Sequence, residues 1–110
     1  MTYVFDLDET ICQSDYPNNL DLMDKYYNSY PIKERIAIIN NLYNQGHEII
    51  IDTARGCKIG VTDELRDLTV KQLKDWGVKY HLLRIGIKYP GDFYIDDKAI
   101  SDKDFFVNAV

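Results

Sequence analysis

Two carboxylates spaced two residues apart stand at the end of the first apolar run of this 110-residue chain. The run covers residues 3–7, and the acids are Asp6 and Asp8. We expect a buried strand of a parallel sheet, with Asp6 as its last residue and Asp8 in the following loop. Ligands bind at the carboxyl edge of such sheets. Two acids this close favour a cation between them, and Mg²⁺ prefers oxygen ligands. The alternative is a strand that simply ends in an acidic turn.

Helices and strands are predicted to alternate along the rest of the chain. Apolar residues recur at helical spacing from Pro31 to Gly46, and a second helix is predicted from Thr62, a good N-cap, to Gly77. Further strands are predicted at 48–52, 78–85 and 92–95, with a final helical turn or edge strand after residue 100. This order predicts an α/β fold: a three-layer sandwich with a mostly parallel, Rossmann-like sheet.

Residues 11–30 show no clear period and are predicted to form a short flap over the carboxyl edge of the sheet. A turn is expected at Pro17-Asn18-Asn19, followed by one or two turns of helix. The insert is too short to be a domain, so residues 1–110 are predicted to form one domain. Its tyrosines either contact a substrate or only pack against the domain, and both alternatives stay open: Tyr16, Tyr26, Tyr27 and Tyr30.

The composition limits the partners of the chain. Its net charge of −5 disfavours a nucleic-acid or anionic-membrane partner, because both require a basic surface. No apolar run approaches the roughly 20 residues of a membrane span, and no signal peptide is evident. Two cysteines form neither a disulfide framework nor a metal-binding spacing. We therefore expect a cytoplasmic protein, with a homo-oligomer left open.

Further polar side chains lie near the ends of the predicted strands. Thr53 follows the second strand, the acids Asp96 and Asp97 follow the fourth, and Lys88 precedes the fourth. The carboxyl ends of parallel strands meet at one edge, so we expect these groups to converge with the first two acids. Carboxylates would hold Mg²⁺, while the ammonium and the hydroxyl would neutralise a phosphoryl group that a carboxylate attacks. The pattern predicts a phosphoryl-transfer site.

These motifs, in this order, resemble those of the haloacid dehalogenase (HAD) superfamily of phosphotransferases. The resemblance covers nearly the whole chain, and its parts are Asp6-Leu7-Asp8-Glu9-Thr10, Thr53, Lys88 and Asp96-Asp97. Glu9 stands where many members of the superfamily have glycine. The segments 53–56 and 94–99 resemble more closely those of small capless phosphatases associated with bacterial surface-polysaccharide loci.

The resemblance implies a catalytic role for four residues. Asp6 would be the nucleophile that becomes an aspartyl phosphate. Asp8 would protonate the leaving oxygen and later deprotonate the attacking water. Thr53 would hydrogen-bond the transferred phosphoryl oxygens, and Lys88 would offset charge on the nucleophile and on the phosphate.

The resemblance also implies a ligand set for Mg²⁺. The carboxylate of Asp6, the backbone carbonyl of Asp8 and one of Asp96 and Asp97 would bind the ion. Gly91-Asp92 with Asp96 fits another form of the last motif, but that glycine precedes the predicted strand instead of following it. We therefore expect Asp97 to be the direct ligand.

Arg55 lies in the loop after the second predicted strand and has two interpretations. It binds a polar or anionic group of the substrate, which we favour, or it pairs with an acid. His47 precedes a strand and His81 lies within one, so we expect both to be structural. We do not expect Cys12 to be a catalytic nucleophile, since no histidine is placed to activate it.

We expect a phosphatase that uses Mg²⁺ to hydrolyse a small phosphate monoester, a sugar or polyol phosphate. Phosphoprotein hydrolysis is one alternative, and a non-catalytic binding module of the same fold is another. A phosphoacceptor receiver domain is disfavoured, because its phosphorylated aspartate ends the third strand. Here that strand ends in Leu83-Arg84-Ile85, without an acid.

Overall fold

A computed structural model describes residues 1–15 and 21–108 of the chain. Tyr16 and the turn expected at Pro17-Asn18-Asn19 lie outside the described residues. The elements, in chain order, are β1 (Thr2–Phe5), β2 (Cys12–Gln13), α1 (Leu22–Tyr27), β3 (Tyr30–Pro31), α2 (Lys33–Asn44), β4 (Glu48–Thr53), α3 (Asp63–Asp75), β5 (Leu82–Ile85) and α4 (Asp102–Asn108). In the part of the chain that the structure describes, no helix is both long and apolar enough to cross a membrane.

Three parallel strands form the central sheet in the order β1-β4-β5. Phe5 lies opposite Ile51, and Thr53 lies opposite Ile85. The prediction of an α/β fold with a mostly parallel sheet is therefore confirmed. Because the strands run in one direction, the segments that follow β1, β4 and β5 begin at the same edge of the sheet.

The core forms around the central strand β4. Ile49 and Ile51 are fully buried, as alternation along a strand requires when one face is covered. They cluster with Ile36 and Ile39 of α2 and with Phe106 of α4. Each fully buried side chain of this kind stabilises the fold by about 1.5–3 kcal/mol, so these contacts fix the sheet that carries the site.

The two long helices begin and end close to the predicted residues. Thr62 caps α3, since its hydroxyl accepts a hydrogen bond from Leu65 N at 3.1 Å. No side chain caps α2, and its N-cap residue is Ile32. Gly46 follows α2 with a φ of +92°, a left-handed conformation that glycine adopts without strain.

The insert between β1 and α2 contains a small two-stranded sheet and a short helix. β2 and β3 pair antiparallel, and α1 lies between them in sequence. Asp21 caps α1 by accepting a hydrogen bond from Met23 N at 2.7 Å. Tyr26 of α1 packs in a second apolar cluster with Leu65 of α3 and Ile85 of β5. This contact holds α1 beside the end of the parallel sheet.

The fourth predicted strand does not form, which corrects the expectation for residues 92–95. The Tyr94 hydroxyl donates a hydrogen bond to Tyr89 O at 2.7 Å and accepts one from Gly91 N at 2.9 Å. These local hydrogen bonds fold the segment back on itself and compete with an extended strand. The side chains of Phe93 and Ile95 are accordingly 85% and 98% exposed.

Smaller differences concern the ends of elements. β1 ends at Phe5, so Asp6 is the first residue after the strand rather than its last residue. β5 is shorter than predicted and begins at Leu82. The tail forms a helix, α4, rather than an edge strand.

Candidate active site

A cleft of about 220 Å³ opens at the carboxyl edge of the parallel sheet. Asp6 and Asp8 from the segment after β1 and Thr53 from the end of β4 line it together. Thr53 is buried, and its hydroxyl accepts a hydrogen bond from Arg55 N at 3.2 Å. The two neighbouring parallel strands therefore place two carboxylates and a hydroxyl at one opening, as the sequence predicts.

Lys88 approaches the same place from the loop after β5. Its ammonium lies 3.4 Å from Asp6 Oδ1 and 4.8 Å from the centre of the Tyr94 ring. Burial raises the pKa of Asp6 above its ordinary value, and the charge of Asp8 adds to that effect. The Lys88 charge acts in the opposite direction but does not cancel the rise. The structure thus brings together four predicted catalytic residues.

All five N–H groups of the Arg55 guanidinium have acceptors within the protein. Nε and Nη2 donate to the two carboxylate oxygens of Asp8 at 3.0 and 2.9 Å. Nη1 donates to Thr69 Oγ1 at 3.2 Å and to Gln72 Oε1 at 2.7 Å. Nη2 also faces the Cys12 sulfur at 4.0 Å, a weak acceptor. The forked contact fixes the plane of the Asp8 carboxylate.

The structure shows the second interpretation of Arg55, pairing with an acid, and Arg55 also lines the cleft. Its side chain is 0% exposed, and the ring of Tyr26 covers the guanidinium with 4.5 Å between them. Burial alone would lower the pKa of Arg55, but the hydrogen bonds and charge of Asp8 raise it above its ordinary value. A substrate contact for Arg55 stays a prediction, while the geometry assigns this side chain to holding Asp8.

Two polar residues of α3 belong to this arrangement and were not predicted from the sequence. Thr69 and Gln72 lie on the buried face of α3 with Leu65 and Leu73. Gln72 also donates a hydrogen bond to Tyr26 O at 2.6 Å and so links α3 to α1. Their positions in the apolar stripe of the helix were the available signal, because a buried polar side chain requires a polar partner.

Two lysines that line the cleft also escaped prediction. Lys25 comes from α1 and Lys58 from the loop after β4, where the exposed Cys57 precedes it. Their spacing in the sequence matches no motif, so only the fold brings them to one cleft.

Asp96 and Asp97 are not brought to the other acids. Both are exposed, and Asp96 accepts a hydrogen bond from Lys98 N at 2.8 Å, which lowers the pKa of Asp96. Among the residues that the structure describes, no three His, Cys, Asp or Glu side chains are grouped to hold a metal ion. Asp6 and the backbone carbonyl of Asp8 fit the oxygen preference of Mg²⁺. Binding of the ion by Asp96 or Asp97 stays a prediction.

Glu9 adopts a backbone conformation that is unusual for its type. Its φ is +64°, in the left-handed region that glycine enters without a steric penalty. Glu9 N donates a hydrogen bond to Cys12 O at 2.8 Å across the turn that follows Asp8. Glycine would adopt this conformation without the steric penalty that Glu9 carries.

The remaining candidates have structural contacts. The Nδ1 atom of His81 accepts a hydrogen bond from Ile49 N at 3.0 Å, and that of His47 lies 2.9 Å from the amino terminus. Cys12 is fully buried, and burial together with the charge of Asp8 raises the pKa of its thiol to about 12. A thiolate at this position is therefore disfavoured, and the expectation that Cys12 is not a nucleophile stays a prediction.

A larger groove of about 410 Å³ lies elsewhere, between α2 and α4. The described residues that line it are mainly apolar or carry side-chain amides, including Tyr3, Leu42 and Phe105, and Asp104 is the one carboxylate among them. Among the residues that the structure describes, its lining has neither paired acids nor a cation, so the predicted catalytic residues are associated with the smaller cleft alone.

Comparison with known proteins gives structural neighbours only. The chain matches no protein-family model. It matches no curated protein. It is similar to the crystal structure of a target protein from Vibrio cholerae, with 26% identity and a TM-score of 0.76 over 96% of this chain and 86% of that chain. It is also similar in fold to a chain in the structure of a Pnkp1/Rnl/Hen1 complex, with 18% identity and a TM-score of 0.58 over 96% of this chain. This chain spans about a third of the latter, covering 32% of it.

Proposed function

We propose that this chain is an Mg²⁺-dependent phosphatase of the HAD superfamily, with the three-layer core of that superfamily, acting in the cytoplasm. Its substrate would be a small phosphate monoester, a sugar or polyol phosphate. One observation carries the proposal: Asp6, Asp8 and Thr53 line a single cleft, and Lys88 lies 3.4 Å from Asp6. This combination of nucleophile, proton acceptor, hydroxyl and cation is suited to phosphoryl transfer.

The proposed reaction has two steps at phosphorus. In the first, an Asp6 carboxylate oxygen forms a bond to phosphorus, and the bond to the leaving oxygen breaks as that oxygen gains a proton from Asp8, which enters this step protonated. In the second, water attacks the same phosphorus and Asp6 is released with inorganic phosphate. Thr53 donates a hydrogen bond to the transferred group, and Lys88 balances charge that develops near Asp6.

Asp8 manages the protons in this scheme, and Arg55 positions it. The forked pair holds the Asp8 carboxylate beside the cleft, where it takes a proton from the attacking water in the second step. Arg55 is itself hydrogen-bonded to α3. The position of the Asp8 carboxylate is therefore fixed by contacts with a helix and does not depend on the loop alone.

Mg²⁺ would be held by the Asp6 carboxylate, the Asp8 backbone carbonyl and Asp97, with Asp96 as its neighbour. When bound, the ion supplies positive charge to the oxygens of the transferred phosphoryl group. Asp97 is tethered to this site, because it follows Lys88 closely in the sequence. In the structure Asp97 is exposed and is not grouped with Asp6 and Asp8, so binding of Mg²⁺ by this acid requires its segment to move.

The size of the cleft favours a small substrate over a phosphoprotein. About 220 Å³ is less than the roughly 300–1,000 Å³ of pockets that take drug-sized ligands. Leu22, Lys25 and Tyr26 of α1 line one side of the cleft and restrict the approach of a folded partner.

The proposal is tested by phosphate release from an aryl phosphate, with and without Mg²⁺. We expect turnover with Mg²⁺, loss of turnover when a chelator is added, and recovery when Mg²⁺ is returned in excess. Calcium should inhibit, because its looser coordination suits in-line transfer poorly. A correctly folded chain that binds phosphate compounds but never releases phosphate would instead be a binding module.

A further inference from the structure

Two lysines line the proposed catalytic cleft without a role in the reaction described above. Lys25 is half-buried on α1, and Lys58 is exposed in the loop after β4. Among the residues that the structure describes, neither ammonium lies within ion-pair distance of a carboxylate. They come from separate elements, so only the fold places two positive charges on one opening.

The other charges of the cleft are already matched within the protein. Lys88 lies against Asp6, and Arg55 is bound to Asp8. Lys25 and Lys58 therefore leave two positive charges uncompensated, in a chain whose net charge is −5. Such a local excess of positive charge attracts anions, and the low-dielectric wall of a cleft strengthens that attraction.

We infer that Lys25 and Lys58 form a subsite for a second anionic group on the phosphate monoester, either a carboxylate or another phosphate. This inference rests on the proposed function and narrows its substrate class from neutral sugar or polyol phosphates to anionic ones. The small cleft sets a further condition, because about 220 Å³ leaves room for only a short spacer between the two anions.

Cys57 provides a reporter of binding that does not depend on turnover. Its thiol is exposed and lies beside Lys58 in the wall of the cleft. Cys12, the other cysteine, is fully buried and serves as an internal control. The rate of Cys57 alkylation by iodoacetamide, followed by peptide mass spectrometry, should fall when a ligand fills the cleft.

The test compares protection of Cys57 by 3-phosphoglycerate, glycerol 3-phosphate and inorganic phosphate, each with Mg²⁺ and in large excess over the protein. The first two differ by a carboxylate in place of a neutral hydroxymethyl group. For exposed or half-exposed ion pairs, we expect half-protection by 3-phosphoglycerate at a concentration about three- to tenfold lower than by glycerol 3-phosphate. 1,3-Propanediol bisphosphate against 3-hydroxypropyl phosphate tests a second phosphate in the same way, across the same three-carbon spacer.

Variants assign the preference to the two lysines. In the double variant Lys25→Met with Lys58→Met, 3-phosphoglycerate and glycerol 3-phosphate should give half-protection of Cys57 at equal concentrations. Lys71→Met is the matched control, because Lys71 lies on α3 in a surface pair with Asp75, and it should keep the preference. In the absence of ligand, the anionic reagent iodoacetate should lose reactivity relative to neutral iodoacetamide in the double variant alone.

The outcomes separate this inference from the proposed function. Equal protection by both three-carbon ligands, or a preference that survives in the double variant, would overturn the second-anion subsite and leave the phosphatase proposal standing. Failure of every phosphate compound to protect Cys57 would overturn the phosphate site itself, and the subsite with it. Preference for the doubly anionic ligands, lost only without Lys25 and Lys58, supports the inference.

Discussion

Asp6 is the residue on which the proposed chemistry depends, and its position carries an energetic cost. A nucleophile must be ionised, yet burial and the neighbouring Asp8 raise the pKa of Asp6. Lys88 partly offsets that cost through its charge at 3.4 Å. A carboxylate at a sheet edge whose ionised form is destabilised by its surroundings is typical of a functional site.

The raised pKa predicts how stability depends on pH. Well below the ordinary aspartate pKa of 3.8, Asp6 is protonated in both the folded and unfolded chains, so its ionisation does not affect stability there. As pH rises towards the raised pKa, the unfolded chain loses this proton first, and the folded protein is progressively penalised. Relative to Asp6→Asn, the wild-type protein should therefore lose urea stability as pH rises from the ordinary aspartate pKa through the raised pKa of folded Asp6, measured in the presence of a chelator.

Lys88→Met provides the matched comparison for this prediction. Removing the ammonium should raise the pKa of Asp6 further and enlarge the stability difference that the Asp6→Asn substitution makes at neutral pH. Lys88→Arg keeps the charge and should leave the difference nearly unchanged. A difference that does not vary with pH would show that Asp6 is not desolvated in solution.

Arg55 joins several elements at the site. It belongs to the loop after β4, binds Asp8 in the segment after β1, and contacts Thr69 and Gln72 on α3. The ring of Tyr26 on α1 covers the Arg55 guanidinium. The position of a proposed catalytic carboxylate thus depends on packing between four parts of the chain.

This arrangement predicts that Arg55→Lys is costly. Lysine keeps the charge but lacks the planar fork, so buried acceptors lose partners and unfolding free energy should fall by about 2–4 kcal/mol in a urea titration. Lys71→Met breaks a surface ion pair with Asp75 and should change the unfolding free energy by less than about 0.5 kcal/mol. If Arg55 also contacts substrate, Arg55→Lys would in addition raise KM, whereas an unchanged unfolding free energy would contradict the positioning role.

The sequence predicted the elements that carry strong local signals. Thr62 and Gly46 mark helix ends through their own hydrogen bonding and conformation, and the buried alternation of β4 follows from its isoleucines. The short strand expected at residues 92–95 had a pattern of only four residues. In that segment the local hydrogen bonds of the Tyr94 hydroxyl replace an extended strand, and the apolar pattern of the sequence does not predict such hydrogen bonds.

Prediction of the site residues was likewise limited to those with a local sequence signal. Asp6, Asp8 and Thr53 could be predicted because each lies at the end of a strand of one parallel sheet or just after it. The internal partner of Arg55 could not, since the contact with Asp8 spans 47 positions in the sequence. Long-range pairs of this kind leave no local pattern.

At the scale of the whole molecule, the proposal requires a distant acid to join the cleft. Asp97→Ala should raise the Mg²⁺ concentration for half-maximal phosphate release at least about tenfold, since loss of a ligand weakens metal binding. Asp96→Ala, the adjacent control, should have a smaller effect. The opposite ranking would make Asp96 the direct ligand, and no effect from either change would exclude this segment from the metal site.

The most direct test of the account is a search for a phosphoryl group on Asp6 during turnover. The protein would be mixed with Mg²⁺ and an aryl phosphate, quenched in acid, and its peptides analysed by mass spectrometry. We predict a phosphorylated Asp6 in the wild-type protein, no adduct when a chelator replaces Mg²⁺, and no adduct in folded Asp6→Asn. Steady phosphate release without an adduct, or release that continues at the wild-type rate in Asp6→Asn, would contradict the assignment of Asp6 as the nucleophile.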